Sequence, residues 1–576
     1  MKKYLFMIAT VSIVLACAKE NIQNDATPEK AQDAKGNISF VVDVESASDV
    51  KATISASDNF TWEASDRAAV FTSEGHKVVL TPSDISGGVA TFTGEVTSGE
   101  TVPEGAIVVY PADFLTAANT VTFPAEYTSN GQGTVLAAKV ASGRKLTFKY
   151  LAATLKATIT DVPSIASSIT VTSTQTLTGA HTINFTGSTP TLSTSSTAKE
   201  ITFSSPANGN NELVIPVPTT GAAQTFTYKV NYSSNVLFTQ STTKTLERNS
   251  YMSMASLTIN PSVYLLSSMT GWGEDDSKRL LMSVSSGVAS STLNALKNQY
   301  FRVCIKYPAC EDMIEMGPAS SITENSENGD MNTDVSDWVE KPSVLVKDAI
   351  GKYSITYNYT TGRYGIATLE TSPSIYAVGA QNSWNISNTD TPLVKAGKWY
   401  YVLGYNGIYK INYSGYQTNK WFGVFGYNGS SATGAPGIEG ADFGSSDSNS
   451  DWYYSSVLYD SENNLYYYWA EGKDNVQSFA QLYLKGSWDS FSIGVPMTRS
   501  SSNTHIWTIT RTFAANQTFK VTDGADAWWG FSNNMESIYD NTVQAESADN
   551  LKITVAGTYL IMFNEKTNKY HIVKTD

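Results

Sequence analysis

Apolar and polar residues alternate with a period of two along most of this chain. The run Ile38-Ser39-Phe40-Val41-Val42-Asp43-Val44 shows it, as do Ala106-Ile107-Val108-Val109-Tyr110 and Leu146-Thr147-Phe148-Lys149-Tyr150. Clusters such as Gly87-Gly88 and Asn130-Gly131 interrupt the runs at short intervals, and no long segment carries helical spacing. Period two places successive side chains on opposite faces of a strand, so the pattern predicts an all-β chain of tandem β-sandwich domains.

From Ser262 onward one pattern is written three times. Each copy opens on a Tyr-led apolar strand that leads to a tryptophan: Trp272, Trp384 and Trp488. Each continues to an aromatic–basic–aliphatic triplet, Phe301-Arg302-Val303, Tyr409-Lys410-Ile411 and Phe519-Lys520-Val521, and ends in a hairpin with a polar tip. Self-similarity at a fixed period sets architecture before any single residue is interpreted. Strand alternation puts Phe519 and Val521 on one face and Lys520 on the other, with Trp528-Trp529 following; Lys410 and Trp421 stand in a similar relation, with Lys420 beside the latter. In the first repeat Arg302 replaces the lysine and Met313-Ile314-Glu315-Met316 takes the place of the tryptophan segment, so this copy is expected to bind weakly or act as a spacer.

At 576 residues the chain is too long for a single core. The boundaries read from it are 37–150 and 151–260 for two N-terminal sandwiches, then 262–372, 373–475 and 479–576 for the three repeats. Charged residues are only 16%, replaced by Ser, Thr, Asn, Gly and many Tyr, a mixture that favours pleated strands. The net charge of -14 argues against a nucleic-acid partner, which needs a basic face.

Eleven of the twelve tryptophans lie between Trp272 and Trp529, and tyrosine is dense there too. Burying every ring would demand a partner for each indole N–H and phenol, so some are expected at the surface as a contact area. Exposed aromatics among uncharged polar residues suit carbohydrate: the apolar face of a pyranose stacks on a ring while Lys, Asn or Asp fixes its hydroxyls. Glycan-contact candidates are Lys410, Trp421, Lys520, Trp528, Trp529, Trp384 and Trp488. Trp384 and Trp488 read equally well as core corners, and Trp529 should face away from Trp528 if that segment is extended.

Catalysis and metal binding find little support. A glycosidase needs two carboxylates at a fixed separation across a cleft; here the acids fall in loops such as Glu274-Asp275-Asp276. No G-x-S-x-G nucleophile context occurs. His76, His181, His505 and His571 are scattered, so neither a metal nor any other cofactor is implied. Cys304 and Cys310 sit six apart, and either a disulfide or two unpaired thiols fits that spacing.

At the N-terminus a basic start precedes the apolar stretch Leu5 to Leu15, too short to span a bilayer. Val14-Leu15-Ala16-Cys17 resembles a bacterial lipobox, which implies that residues 1–17 are a lipoprotein signal with Cys17 the lipidated residue. Polar residues 18–36 read as a flexible tether. Lys19-Glu20 resembles a weak form of the Bacteroidetes signal for export to the outer cell surface.

Two further resemblances are carried by longer stretches. Phe60-Thr61-Trp62-Glu63-Ala64-Ser65-Asp66, Val109-Tyr110-Pro111-Ala112 and Tyr251-Met252-Ser253-Met254 resemble the fimbrillin family of pilins and pilin-like surface lipoproteins, which implies two transthyretin-like sandwiches. The triple pattern, with Pro496-Met497-Thr498, Trp528 and Gly557-Thr558-Tyr559, resembles the starch-binding modules of SusE/SusF-type lipoproteins. That resemblance implies three immunoglobulin-like or carbohydrate-module-like sandwiches that capture polysaccharide without catalysis. α-Glucan is the leading ligand, beside an outer-membrane glycan transporter. The alternative is a pilus-associated or adhesin subunit binding a host or partner surface.

Overall fold

The structure, a computed structural model, describes residues 36–45, 60–86, 88–128, 133–143, 145–219, 221–273, 279–347, 350–370, 374–385, 390–412, 424–426, 433–434, 440–472, 479–500, 505–530, 533–535, 538–542, 544–545 and 549–576. Cys17, residues 18–35 of the tether, Glu274-Asp275-Asp276, Lys420 and Trp421 lie outside the described residues. The chain is all-β, and its only described helical pieces are short 3-10 turns. Among the described residues no helix is long and apolar enough to cross a membrane.

The first seven-stranded unit closes on itself. Asn37–Val44 pairs in parallel with Lys145–Tyr150 and antiparallel with Val89–Glu95, and the remaining strands complete a barrel. Alternation drives the closure: Ile38, Phe40 and Val42 are all buried in one core with Phe92, Leu146 and Phe148. Trp62 fills its centre, edge-on to Phe92 at 4.7 Å and to Tyr110 at 5.2 Å. Tryptophan here is core, as a large ring beside a tight turn should be.

The second unit stacks the sheet that pairs Ala153–Val162 with Gly209–Val217 on another built from Ser168–Ser173, Glu200–Ser204, Ala223–Tyr232 and Asn235–Thr245. Two strand pairings tie it to the earlier part of the chain. Thr120–Phe123 joins Gly179–Thr186, and Glu126–Tyr127 runs parallel to Glu200–Ser204. At the junction the Glu45 carboxylate, 1% exposed, receives the Arg248 guanidinium, Lys149 Nζ at 3.3 Å and the Tyr150 backbone N–H at 2.8 Å. A buried charge persists only with such a full set of partners.

The three repeats fold as three two-layered sandwiches. In each, the opening Tyr-led strand pairs with the triplet strand: Ser262–Ser267 with Gln299–Lys306, Tyr376–Gly379 with Tyr409–Asn412, and Tyr483–Gly486 with Thr518–Thr522. The facing sheets centre on Gly351–Asn358, Tyr454–Asp460 and Gly557–Asn564. Phe301 and Val303, Tyr409 and Ile411, and Phe519 and Val521 all point into the cores, which turns Arg302, Lys410 and Lys520 to the opposite face. Trp399 and Trp507 are 2% exposed and belong to the packing.

The second and third sandwiches share an apolar contact of Trp399, Tyr401, Leu403, Leu458, Trp469, Ile506, Leu560, Met562 and Val573. Trp399 Nε1 donates to the Lys574 carbonyl at 2.6 Å, and Asn564 Nδ2 donates to Glu471 Oε2 at 2.7 Å.

Cys304 and Cys310 are both buried free thiols, so no disulfide closes the Lys306-Tyr307-Pro308 loop. The strand explains why. Phe301, Val303 and Ile305 face the core that Cys310 joins, while Cys304 shares the opposite face with Arg302. Burial, followed by the neighbouring Glu315 carboxylate, pushes the Cys304 thiol up to about 12.

Candidate functional site

The triplet cations recur in one backbone setting. In the first sandwich Met316 pairs with Val303, so the next step of the register sets Gly317 across from Arg302. The same step sets Gly426 across from Lys410 and Gly530 across from Lys520. A Cβ on these glycines would lie 2.7 Å from the Pro342 carbonyl oxygen, 2.2 Å from that of Ala441 and 2.2 Å from that of Asp549. Each glycine thus lets a returning segment of chain press against the sheet beside the cation. Only a residue without a side chain permits that approach.

A second element recurs at the end of the opening strand. After a short 3-10 turn, two consecutive residues take left-handed backbone angles: Gly271-Trp272 (φ 64 and 60), Ser383-Trp384 (φ 53 and 58) and Ser490-Phe491 (φ 57 and 62). The N–H of Trp384 and that of Phe491 each bond the last residue of its strand, Gly379 O and Gly486 O, both at 2.9 Å. Non-glycine residues in this region are strained and persist where their surroundings over-determine them. Trp272, Trp384 and Phe491 are therefore equivalent turn aromatics, each half-buried.

Trp488 is not their counterpart. It lies three residues earlier, its ring resting over Gly486, with the Arg511 guanidinium carbon 3.9 Å from the ring centroid and Phe513 edge-on at 5.8 Å. Trp529 is 5% exposed and packs edge-on to Phe479 at 5.1 Å, inside the core of the third sandwich. Trp529 does not match the expected ligand platform. Trp529 pairs with the inward Val521, and pairing in register fixes both to one face.

Trp528 keeps the outward face. It pairs with Thr522, is half-buried, and has Lys485 Nζ 5.3 Å from its ring centroid. Lys485 pairs directly with Lys520, so two lysines and one indole share this sheet face. Lys410 lies within 3.6 Å of Asp442 in a partly exposed ion pair. The register of the second sandwich gives the place of Trp528 to Val424, not to Trp421.

The first sandwich, expected from sequence to bind weakly or act as a spacer, holds a cleft of about 450 Å³. The Arg302 guanidinium carbon sits 4.4 Å from the centroid of Trp272. Arg302 Nε donates to Glu315 Oε2 at 2.8 Å, and Lys341 Nζ reaches the other carboxylate oxygen at 2.9 Å. Arg279 Nε donates to the Gly273 carbonyl at 3.2 Å and lines the same cleft. Here Glu315 takes the position that Trp528 holds in the third sandwich, trading an indole for a carboxylate that anchors two cations. Arg279, Lys341 and Glu315 were missed because they converge only in space. The Arg302 guanidinium covers one face of Trp272, and the charged groups that share the cleft with it, Arg279, Glu315 and Lys341, can bond hydroxyls at its rim.

Among the described residues no group of three or more His, Cys, Asp or Glu is placed to hold a metal ion.

No family model matches the chain, and no curated protein is similar to it in sequence. Among solved structures, SusF from Bacteroides thetaiotaomicron aligns over 73% of this chain and 99% of its own length, at 10% identity and a TM-score of 0.16. A candidate cell adhesion protein from Bacteroides ovatus aligns over 37% of this chain and 91% of its own, at 15% identity and a TM-score of 0.23. Another from Bacteroides uniformis aligns over 34% and 81%, at 17% identity and a TM-score of 0.21. Alignments this loose assign no residue a role.

Proposed function

We propose that this chain is a non-catalytic glycan-binding lipoprotein, anchored to the outer membrane through Cys17 and facing the cell exterior, which captures polysaccharide for an outer-membrane uptake system. The observation that carries the reading is the recurring pair of a turn aromatic and an outward cation in three successive sandwiches, joined in the first by a cation–π contact. Ring stacking plus charge-assisted bonds to hydroxyls is the chemistry by which a protein holds a neutral sugar chain. α-Glucan is the leading ligand, on the resemblance of the repeats to starch-binding modules. The binding residues in this reading are Trp272 and Arg302, Trp384 and Lys410, and Phe491, Lys520 and Trp528.

Calorimetric titration of the whole chain with soluble α-glucans, β-glucans and xylans tests it. Binding to at least one class that weakens in Arg302→Ala and Lys520→Ala supports the reading; heats absent for every glycan overturn it.

A second reading, a pilus-associated or adhesin subunit, draws on Asn235–Thr245, an 11-residue strand at the edge of its sheet. Such an edge offers backbone groups to a partner strand. Recovery of the chain within purified pili would favour it.

A further inference from the structure

The cleft of the first sandwich carries more positive charge than its described lining neutralises. Among the described residues, Arg279, Arg302 and Lys341 line it against one carboxylate, Glu315. Both oxygens of that carboxylate are taken, one by Arg302 Nε and the other by Lys341 Nζ. One negative charge thus serves two cations. Arg302 is 8% exposed, and a largely buried guanidinium short of countercharge is costly.

Donors remain to receive an anion. Arg302 Nη1 reaches the Ser343 hydroxyl at 3.4 Å, and among the described residues Nη2 has no partner. Lys341 Nζ bonds Glu315 alone among them, with hydrogens to spare, and its side chain is 26% exposed. Since both cations hold one carboxylate, they stand close enough to share a second anion. The mouth also has an apolar side. Val339 lines the cleft with its side chain wholly exposed, and Trp338 beside it is 42% exposed. An inorganic anion has no use for such a lip, whereas the C–H face of a sugar does.

Resting on the reading of the repeats as glycan-binding modules, we propose that this cleft selects a sugar carrying an anionic group, a uronic acid or a sulfated residue. The anion bonds Arg302 Nη2 and Lys341 Nζ, while the ring lies against Val339. Arg302 already covers one face of Trp272, so selection here rests on charge more than on stacking. The volume of about 450 Å³ falls within the roughly 300–1,000 Å³ of small-ligand pockets. The whole chain carries a net charge of -14 and repels polyanions at long range, so their capture requires a local site of this kind.

The test pairs polymers that differ only in charge: polygalacturonate against its methyl ester, and dextran sulfate against dextran. Each is titrated calorimetrically into the whole chain at low and at high salt. The charged member of at least one pair is expected to bind about tenfold more tightly at low salt, the preference shrinking as salt rises. Whichever pair shows it identifies the group as carboxylate or sulfate ester. Lys341→Gln, at a partly exposed position, should lower affinity for the charged polymer about tenfold and for its neutral partner by less, since a charge-assisted bond is lost. Equal or tighter binding of the neutral member in both pairs overturns the proposal and leaves glycan binding by the repeats standing. A charge preference that Lys341→Gln leaves intact overturns it too. So does binding of none of the four polymers; the reading beneath falls only if α-glucans, β-glucans and xylans fail as well.

Discussion

Arg302 stacks on Trp272, its guanidinium carbon 4.4 Å from the ring centroid, although the two residues are thirty positions apart. The contact joins a strained turn to the outward face of a strand. Arg302→Lys keeps the charge but loses the planar fork held by Glu315. Glycan affinity of the first sandwich is expected to fall by about 1–2 kcal/mol, with little change in unfolding temperature. Titration alongside calorimetric melting checks both.

Adjacent tryptophans should separate stability from binding. Trp529→Ala empties a core position and should cost about 3–5 kcal/mol in denaturant unfolding. Trp528→Ala, at the half-exposed neighbour, should cost under about 1 kcal/mol of stability and weaken glycan binding. Equal destabilisation by both would contradict the facing described above.

The glycine across from Lys520 offers a steric test. In Gly530→Ala a methyl would meet the Asp549 carbonyl oxygen at 2.2 Å and Lys520 Cε at 2.9 Å. The returning segment must then shift. A loss of about 1–3 kcal/mol in chemical unfolding is expected, together with weaker ligand binding at Lys520.

A pH signature is expected where the second and third sandwiches meet. Burial raises the pKa of Glu471 above its ordinary 4.5, against hydrogen bonds from Asn564, Ser456 and Trp469 that pull it down. The folded state therefore holds this proton more tightly than the unfolded chain. The stabilisation is complete below pH 4.5 and is lost as pH rises through the folded value. His571, stacked on Trp469 at 3.9 Å, runs the other way: burial lowers its pKa to about 3, so its contribution is lost as pH falls below 6.5. Glu471→Gln removes only the first effect. Its stability relative to the parent chain should rise between pH 4.5 and 8, as read from thermal melts across that range; a flat difference would refute the account.

Both described thiols should resist modification. Cys304 and Cys310 are 3% and 5% exposed, and the Cys304 thiol is pushed up to about 12. Mass spectrometry after thiol alkylation at pH 8 should find neither labelled in the folded chain, and both labelled after unfolding without any reductant.

The strands were legible because alternation is a local code. Phe519 and Val521 point inward and Lys520 outward as their spacing alone requires. In the third repeat tryptophan identity points to Trp488, whereas backbone position selects Phe491 as the turn aromatic. Trp272, Trp384 and Phe491 each lie eight residues after the opening tyrosine, a count that selects Phe491 over Trp488. Counting from the strand would also have exposed the small or polar residue preceding each aromatic, Gly271, Ser383 and Ser490, as the first half of a left-handed pair. Lys341 and Arg279 left no such trace. Their approach to Arg302 depends on how separate loops return to one sheet, and linear spacing does not encode that.

The contact between the second and third sandwiches bears on avidity. Trp399 is bonded to the Lys574 carbonyl, and at Gly397 there is no room for a Cβ, which would lie 1.8 Å from the Thr575 carbonyl oxygen. Two sandwiches fastened this closely present their outward faces at one fixed separation. A polymer seated on one face would meet the other without the entropic cost of ordering a linker. The gain goes only to chains whose helical repeat returns a sugar at that distance, so the junction would act as a gauge of polymer pitch, favouring one glycan geometry over another built from the same sugar.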